Sequence, residues 1–295
     1  MNRFLLGNHI LASRLDQLRV SVVTGYPGTP ASEIVEHCED SAVAYTEWAT
    51  NEKVALEIAL AAAIEGYSGA AVMKAAGLNV AADTLLTIPM LELAGSLVVI
   101  VADDPAAWYS SNEQDSRFYA EMGRFPCLEP YNGQSAADLL VAAFEISQRT
   151  GLPVLYRTVT RLGHTSYTVT LNPVKPLERR PPPPRQARSR RLNVYARDLV
   201  ERRLELEELL QHIASEYHYL NTFRPAETGD SRTCTAASGI AIAHLDPRRS
   251  TDQALFCIPY PLDRASLARL SDREVPLIEE GGPFLPRQLA AALDG

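Results

Sequence analysis

Apolar positions alternate between helical spacing and short unbroken runs through the first 160 residues. Phe4, Leu5, Leu6, Ile10, Leu11, Leu15 and Leu18 recur at helical spacing and predict a helix over 4–19, in which Asn8 and His9 are polar breaks with a structural role. Val20-Ser21-Val22-Val23-Thr24 then reads as a strand. It feeds the loop Gly25-Tyr26-Pro27-Gly28-Thr29-Pro30 and a helix that begins near Ala31. After a carboxylate-rich turn at 45–50, Asn51 is placed to cap a helix with Glu52 in its first turn. Val54, Leu56, Ile58, Leu60 and Ile64 are set among small alanines, which suits close packing on two sides, and Gly66 stops the helix. Ala70-Ala71-Val72-Met73 reads as a short buried strand ending in a loop that contains Gly77. A helix over 79–90 follows, then the buried strand Gly95-Ser96-Leu97-Val98-Val99-Ile100-Val101. A polar loop, 110–117, comes directly after that strand. The pattern continues with a short strand and turn at 125–130 and an amphipathic helix over 135–150 with Leu139, Leu140, Phe144 and Ile146 inward. Gly151 closes that helix, and a strand runs over 153–158.

Strands alternating with helices predict an α/β fold with a parallel sheet, whose ligand sites lie at the strand C-termini. The next stretch breaks the pattern. Arg179-Arg180, four prolines (181–184), Arg185, Arg188, Arg190 and Arg191 form a basic, extended linker between domains. Beyond it, 194–217 predicts a long helix with opposite charges three or four apart, such as Arg202–Glu205 and Arg203–Glu207. Cys234 to Ile240 reads as a strand-to-helix turn, 254–258 as a strand, 264–270 as a helix and 275–280 as a strand and turn. The expected division is therefore a first domain over 1–170, a linker over 171–193 and a smaller α/β domain over 194–295.

Composition narrows the function. The 295 residues are 46% hydrophobic with a formal charge of −8, which argues against a general nucleic-acid binder. Cys38, Cys127, Cys234 and Cys257 are too far apart for a metal motif or a compact disulfide framework, and free thiols in a reducing cytoplasm are expected. The most apolar windows are interrupted by Glu, Pro and Asp, so neither a signal peptide nor a membrane span is expected. The loop Gly25–Pro30 lacks the Gly-x-x-x-x-Gly-Lys phosphate pattern. Ser238 has no Gly-x-Ser-x-Gly elbow, which excludes a hydrolase triad with Glu279 or Glu280. By itself, Glu52 reads as an ordinary helix N-terminal charge, and the 110–117 cluster as a solvated loop.

Four motifs taken together point further. Gly25-Tyr26-Pro27-Gly28-Thr29-Pro30, Asn51-Glu52-Lys53, Met73-Lys74-Ala75-Ala76-Gly77-Leu78-Asn79 and Val101-Ala102-Asp103-Asp104-Pro105 with Ser111-Asn112-Glu113-Gln114-Asp115-Ser116-Arg117 resemble the pyrimidine-binding domain of the 2-oxoacid:ferredoxin oxidoreductases. The resemblance is to the indolepyruvate-type alpha subunits in particular. It is firm over 5–165 and moderate over 194–290, where Ser238-Gly239-Ile240 resembles a family element.

The resemblance implies thiamine diphosphate as cofactor. It implies that Glu52 hydrogen-bonds the aminopyrimidine ring and promotes its imino tautomer, with Gly28, Gly77, Leu78 and Asn79 lining the cofactor. Glu47 and Glu57 are rivals, but the family's spacing from its glutamate to the loop glycine is kept as Glu52 to Gly77. Thr29, Asn112 and Arg117 are implied on the substrate side, although Arg117 equally suits a partner in Asp115 or Glu113. Trp108 and Tyr109 depart from the family pattern, and either shape a pocket for a bulky substrate or pad an interface. The implied reaction is oxidative decarboxylation of an aromatic 2-oxoacid with coenzyme A to an acyl-CoA.

No Gly-Asp-Gly and no Cys-x-x-Cys occurs in the chain. The cofactor's diphosphate with its Mg2+, and the iron–sulfur clusters, are therefore expected in partner subunits of a cytoplasmic hetero-oligomer. A non-redox thiamine-dependent lyase subunit and a non-catalytic scaffold are the alternatives.

Overall fold

A computed structural model describes residues 2–39, 41–182, 196–227, 232–246, 248 and 250–293. Six strands form the main sheet: β2 (Val22–Gly25), β3 (Tyr45–Trp48), β4 (Ser68–Lys74), β5 (Ser96–Asp103), β6 (Cys127–Leu128) and β7 (Val154–Val159). Their order is β3-β2-β4-β5-β7-β6, and every pair is parallel. Central strands β4 and β5 are buried almost throughout, as continuous apolar runs in a sheet covered on both faces must be.

Helices cover the two faces. On one lie α1 (Gly7–Gln17), α2 (Ser32–Cys38) and α6 (Gly133–Thr150), contributing Leu11, Leu15, Ile34, Val35, Leu140 and Phe144 to a shared core. On the other lie α3 (Glu52–Ile64), α4 (Ala75–Thr87) and α5 (Arg117–Gly123), with Leu56, Ala59, Leu78, Leu85 and Ala120 buried. Asn132 and Ser135 form a reciprocal cap at the start of α6, and Gly151 ends it in the left-handed conformation.

A short helix, α7 (Thr160–Gly163), follows β7, and β8 (Ser166–Thr170) pairs antiparallel with β1 (Asn2–Leu6). The helix expected over 4–19 therefore begins only at Gly7. The adjacent apolar residues Phe4, Leu5 and Leu6 fit either period, and the pairing with β8, more than half the chain away, decides for strand. Two other expectations change. Residues 45–48 form β3 rather than a turn, and the helix expected from 79 starts at Ala75, which places Gly77 in its first turn.

Of the expected linker, 171–182 runs without regular structure along the N-terminal edge of the sheet. Leu177 N–H donates to Leu18 O and Arg180 N–H to Gly66 O. The rest of it, including the second half of the proline run, lies outside the described residues.

The second unit holds α8 (Ala196–Glu216) and a four-stranded sheet of β9 (Thr222–Arg224), β10 (Cys234–Ser238), β11 (Asp252–Phe256) and β12 (Leu277–Ile278), with α9 (Arg264–Leu270) and α10 (Phe284–Leu293). The strand β9 and the helix α10 were not anticipated. The two units share one apolar core: Leu206, Ile213, Tyr217, Ile240 and Ile258 pack with Leu128, Leu140 and Tyr156. Edge strand β6 is covered by this unit, with Cys127 N–H donating to Tyr260 O and Glu129 N–H to Cys257 O.

Candidate active site at the strand C-termini

Strand order reverses between β2 and β4. From β2 the chain steps outward to β3, crosses back to β4, then continues outward to β5 and β7. The helix after β2 packs on one face and the helix before β4 on the other. At such a switch point the connections diverge and leave a crevice at the carboxyl ends of the strands. Three motifs reach it: the loop after Gly25, the tip of β4 at Lys74, and Glu52 at the start of α3.

The loop is tied by its own backbone. Gly28 N–H donates to Ser32 Oγ (2.8 Å), and Ala31 N–H donates to Gly28 O (2.8 Å). Tyr26, Pro27 and Thr29 remain exposed. A Cβ at position 28 would stand 2.9 Å from Lys74 Cδ, so glycine is needed for the lysine stem to lie across the loop.

Asn51 accepts the Val54 N–H (2.9 Å) and fixes the start of α3. Glu52 is half-buried and has no hydrogen-bond or ion-pair partner among the described residues. A Cβ on Gly77 would lie 2.5 Å from Glu52 Cγ and 2.7 Å from Cδ, so the first turn of α4 rests directly on this side chain. The rivals are occupied. Glu47 accepts from the Tyr45 hydroxyl, and Glu57 accepts from Thr84 Oγ1 (3.1 Å) and faces Lys53.

Asn79 and Asn112, distant in sequence, are brought together. Asn79 Nδ2 donates to Gln114 Oε1 (2.8 Å), Gln114 Nε2 donates to Asn112 Oδ1 (3.0 Å), and the Tyr119 hydroxyl donates to Asn79 Oδ1 (2.5 Å). Leu78 turns fully into the core, which leaves only its backbone for a ligand.

Asp104 organises the other end of the 104–116 loop. It accepts from Thr160 Oγ1 (2.7 Å) and Tyr109 N–H (2.6 Å), while Glu113 accepts from Ala106 N–H (2.8 Å). Ala106 and Ala107 are held at positive φ, an unfavourable conformation for alanine, and Trp108 and Tyr109 project into solvent. The Tyr109 ring packs edge-on against His164, whose Nε2 is 3.4 Å from Glu33 Oε1, and Asn8 Nδ2 bridges Glu33 to Pro30 O. The loop thus spans from the Thr29 side of the crevice to Asn79.

Arg117 is elsewhere. It has no exposed surface, pairs with Asp115 (2.5 Å) and Glu279 (2.7 Å), and donates to Ser238 Oγ and the Gly282 carbonyl. A guanidinium filled on every side has no room for a substrate carboxylate, so the substrate role expected of Arg117 is withdrawn.

Beside it Arg157, also fully buried, donates to Asp103 (2.6 Å), Glu129 and Glu280 O. Burial raises the Asp103 carboxyl above the usual range, and the offset from Arg157 does not cancel it. Burial works the same way on Asp115, but Arg157 and Arg117 overcome it and hold this carboxyl low. Sequence reasoning anticipated the Arg117–Asp115 pair and missed the rest of this cluster. Its one signal was an arginine inside the apolar run Val154-Leu155-Tyr156-Arg157.

The family model described as "Pyruvate flavodoxin/ferredoxin oxidoreductase, thiamine diP-bdg" matches residues 15–228, and the chain belongs to this family. Indolepyruvate oxidoreductase subunit IorA of Methanothermobacter thermautotrophicus is 34% identical over 308 residues, covering 98% of this chain and 48% of that protein. Subunit IorA of Pyrococcus abyssi is 44% identical over 170 residues, covering 57% of this chain and 26% of that protein. The chain spans about half the length of the curated relatives it matches. Among solved structures, a 2-oxoglutarate:ferredoxin oxidoreductase from Magnetococcus marinus, with 2-oxoglutarate, coenzyme A and succinyl-CoA bound, superposes with a TM-score of 0.79 at 13% identity. That match covers 99% of this chain and 60% of the other, and it establishes a common fold.

The residues present fit one end of thiamine diphosphate. An unpartnered carboxylate at a rigid helix start, seated over a glycine, suits a ring nitrogen. No group of three or more His, Cys, Asp or Glu among the described residues could hold a metal ion, and no described helix is long and apolar enough to cross a membrane.

Proposed function

We propose that this chain supplies the pyrimidine-side half of a thiamine diphosphate site in a 2-oxoacid:acceptor oxidoreductase. The reaction is oxidative decarboxylation of an aromatic 2-oxoacid to its acyl-CoA. The observation that carries the reading is Glu52, unpartnered and seated on Gly77 at the switch point. Family membership and the relatives' names support it.

When bound, thiamine diphosphate supplies the nucleophilic carbon and the electron sink that amino-acid side chains lack. Glu52 Oε would hydrogen-bond the ring nitrogen, aimed by the Asn51 cap and the Gly77 contact. Gly28, Gly77, Asn79 and the Leu78 backbone would form the wall that holds the ring. Thr29, exposed on its tied loop, orients the substrate, and Asn112 reaches the same rim through Gln114. The diphosphate with its Mg2+, and the iron–sulfur clusters, belong to partner subunits, so the active species is a cytoplasmic hetero-oligomer. The working division is 1–170 as the cofactor domain, 171–193 as linker and 194–295 as the small domain.

The test is Glu52→Gln in the native assembly. Assembly is expected to be unchanged and turnover to fall about 10²–10⁴-fold, the worth of a positioned acid–base group. Full turnover in this variant removes Glu52 from the chemistry. Copurified subunits decide the rest. A coloured iron–sulfur partner supports the oxidoreductase, a diphosphate-binding partner alone points to a non-redox lyase, and an assembly that binds no cofactor points to a scaffold.

A further inference from the structure

With Arg117 buried, the crevice needs another cation if a 2-oxoacid is to bind there. Lys74 occupies the tip of β4, paired in register with Ala102 and directly at the switch point. It is half-buried, and its stem lies over Gly28, next to Thr29. The ammonium has no ion-pair partner among the described residues, whereas Lys53 pairs with Asp83 and Glu57, and Arg161 with Glu280. Glu52 and Lys74 share the crevice without forming an ion pair, so each is left for a separate ligand group. Lys74 also occupies the N-cap position of α4, and no side chain caps that helix, so its first backbone N–H groups add to the positive potential.

We propose that the Lys74 ammonium binds the carboxylate of the 2-oxoacid substrate beside Thr29. This rests on the reading of the crevice as the thiamine diphosphate site. A neutral pyrimidine nitrogen suits Glu52, and an anion suits Lys74. The two groups fix opposite ends of the reaction: one activates the cofactor, and the other holds the carboxylate that is lost as CO2. A lysine in this place selects acids over the matching aldehydes and amides.

The experiment uses the native assembly carrying Lys74→Met, Lys74→Gln or Lys74→Arg, with thermal melts to confirm folding. Calorimetry measures thiamine diphosphate, 3-phenylpropionate and its amide 3-phenylpropionamide on each. Lys74→Met and Lys74→Gln should weaken the acid about ten- to hundredfold, the worth of one charge-assisted hydrogen bond. The amide and thiamine diphosphate should stay within twofold of the parent, and Lys74→Arg should keep the preference for acid over amide. In turnover, KM for the 2-oxoacid should rise more than kcat falls. Parent-like acid binding in both neutral variants overturns the proposal. So does loss of thiamine diphosphate with the acid preference intact, which would put the ammonium on the cofactor's phosphates. A parent assembly that binds no thiamine diphosphate overturns the reading of the crevice itself, and the lysine assignment with it.

Discussion

Replacing Gly77 with alanine adds one methyl group and touches nothing ionisable, yet it should disable the site. The new Cβ would lie 2.5 Å from Glu52 Cγ and 2.7 Å from Cδ. Carbon atoms pack at about 3.5–4.0 Å, so the side chain must retreat by about 1 Å. Glu52 is half-buried and can swing outward, which keeps the steric cost near about 1 kcal/mol. Alanine in a helix recovers about 0.5–1 kcal/mol over glycine. The melting temperature should therefore stay within a few degrees of the parent. A displacement of about 1 Å at the acid–base group costs on the order of 100-fold in rate.

The assay is a melt, a thiamine diphosphate titration and turnover on the same preparation of the native assembly. Gly69→Ala is the control. Its Cβ would stand 3.0 Å from the Ala59 carbonyl carbon, a backbone atom that cannot swing away, so that variant should lose stability first. Parent-like turnover in Gly77→Ala would refute the reasoning, because Glu52 would then not be held where Gly77 puts it. A melt as damaged as that of Gly69→Ala would assign Gly77 to packing instead.

Two further predictions concern the buried charges. Arg157→Met leaves Asp103 without a counter-charge and Glu129 with only its longer contact to Arg117 (3.7 Å), and denaturant unfolding should show a loss of about 3–5 kcal/mol; a loss below about 1 kcal/mol would mean the pairs contribute nothing net. Asp103 and Asp115 should give opposite pH signatures. Burial raises Asp103, so folding takes up a proton there, and the stabilisation it brings is present in acid and lost as pH rises through its folded value. Arg157 and Arg117 outweigh burial at Asp115, so its contribution is present above about pH 4 and lost as pH falls. The stability difference between parent and Asp103→Asn should therefore shrink as pH rises from about 4, and that between parent and Asp115→Asn should shrink as pH falls below about 4. Stability curves from pH 2 to 7 that slope the same way for both variants would contradict this.

Local pattern carried the main sheet well. The strands at 68–74, 96–103 and 154–159 are each built on an apolar run (70–73, 97–102 and 154–156), and the helices at 52–64 and 133–150 carry their caps in the sequence. What failed depended on distant partners. Asn2–Leu6 is a strand only because Ser166–Thr170 returns to it. The helix start at Ala75 was misplaced because Gly77 looks like a loop residue until Glu52 is seen packed against it. Residue identity also could not tell a substrate-facing arginine from a buried one. Arg117 is buried by Glu279 and Gly282, more than 160 positions away.

The burial of Arg117 changes how the loop after β5 is understood. Asn112 and Gln114 look toward the crevice through Asn79. Directly after Gln114, Asp115 and Arg117 are locked to Glu279 and Gly282 of the second unit. Ser116 N–H donates to Asp103 at the end of β5 (3.0 Å), so the loop cannot slide between these attachments. The second unit does not line the crevice through the residues named above. Its contribution is to clamp the C-terminal end of the loop whose middle forms the crevice rim. The polar motif thus divides at Asp115, with Asn112 and Gln114 before it linked to Asn79 and the residues after it holding the two units in register.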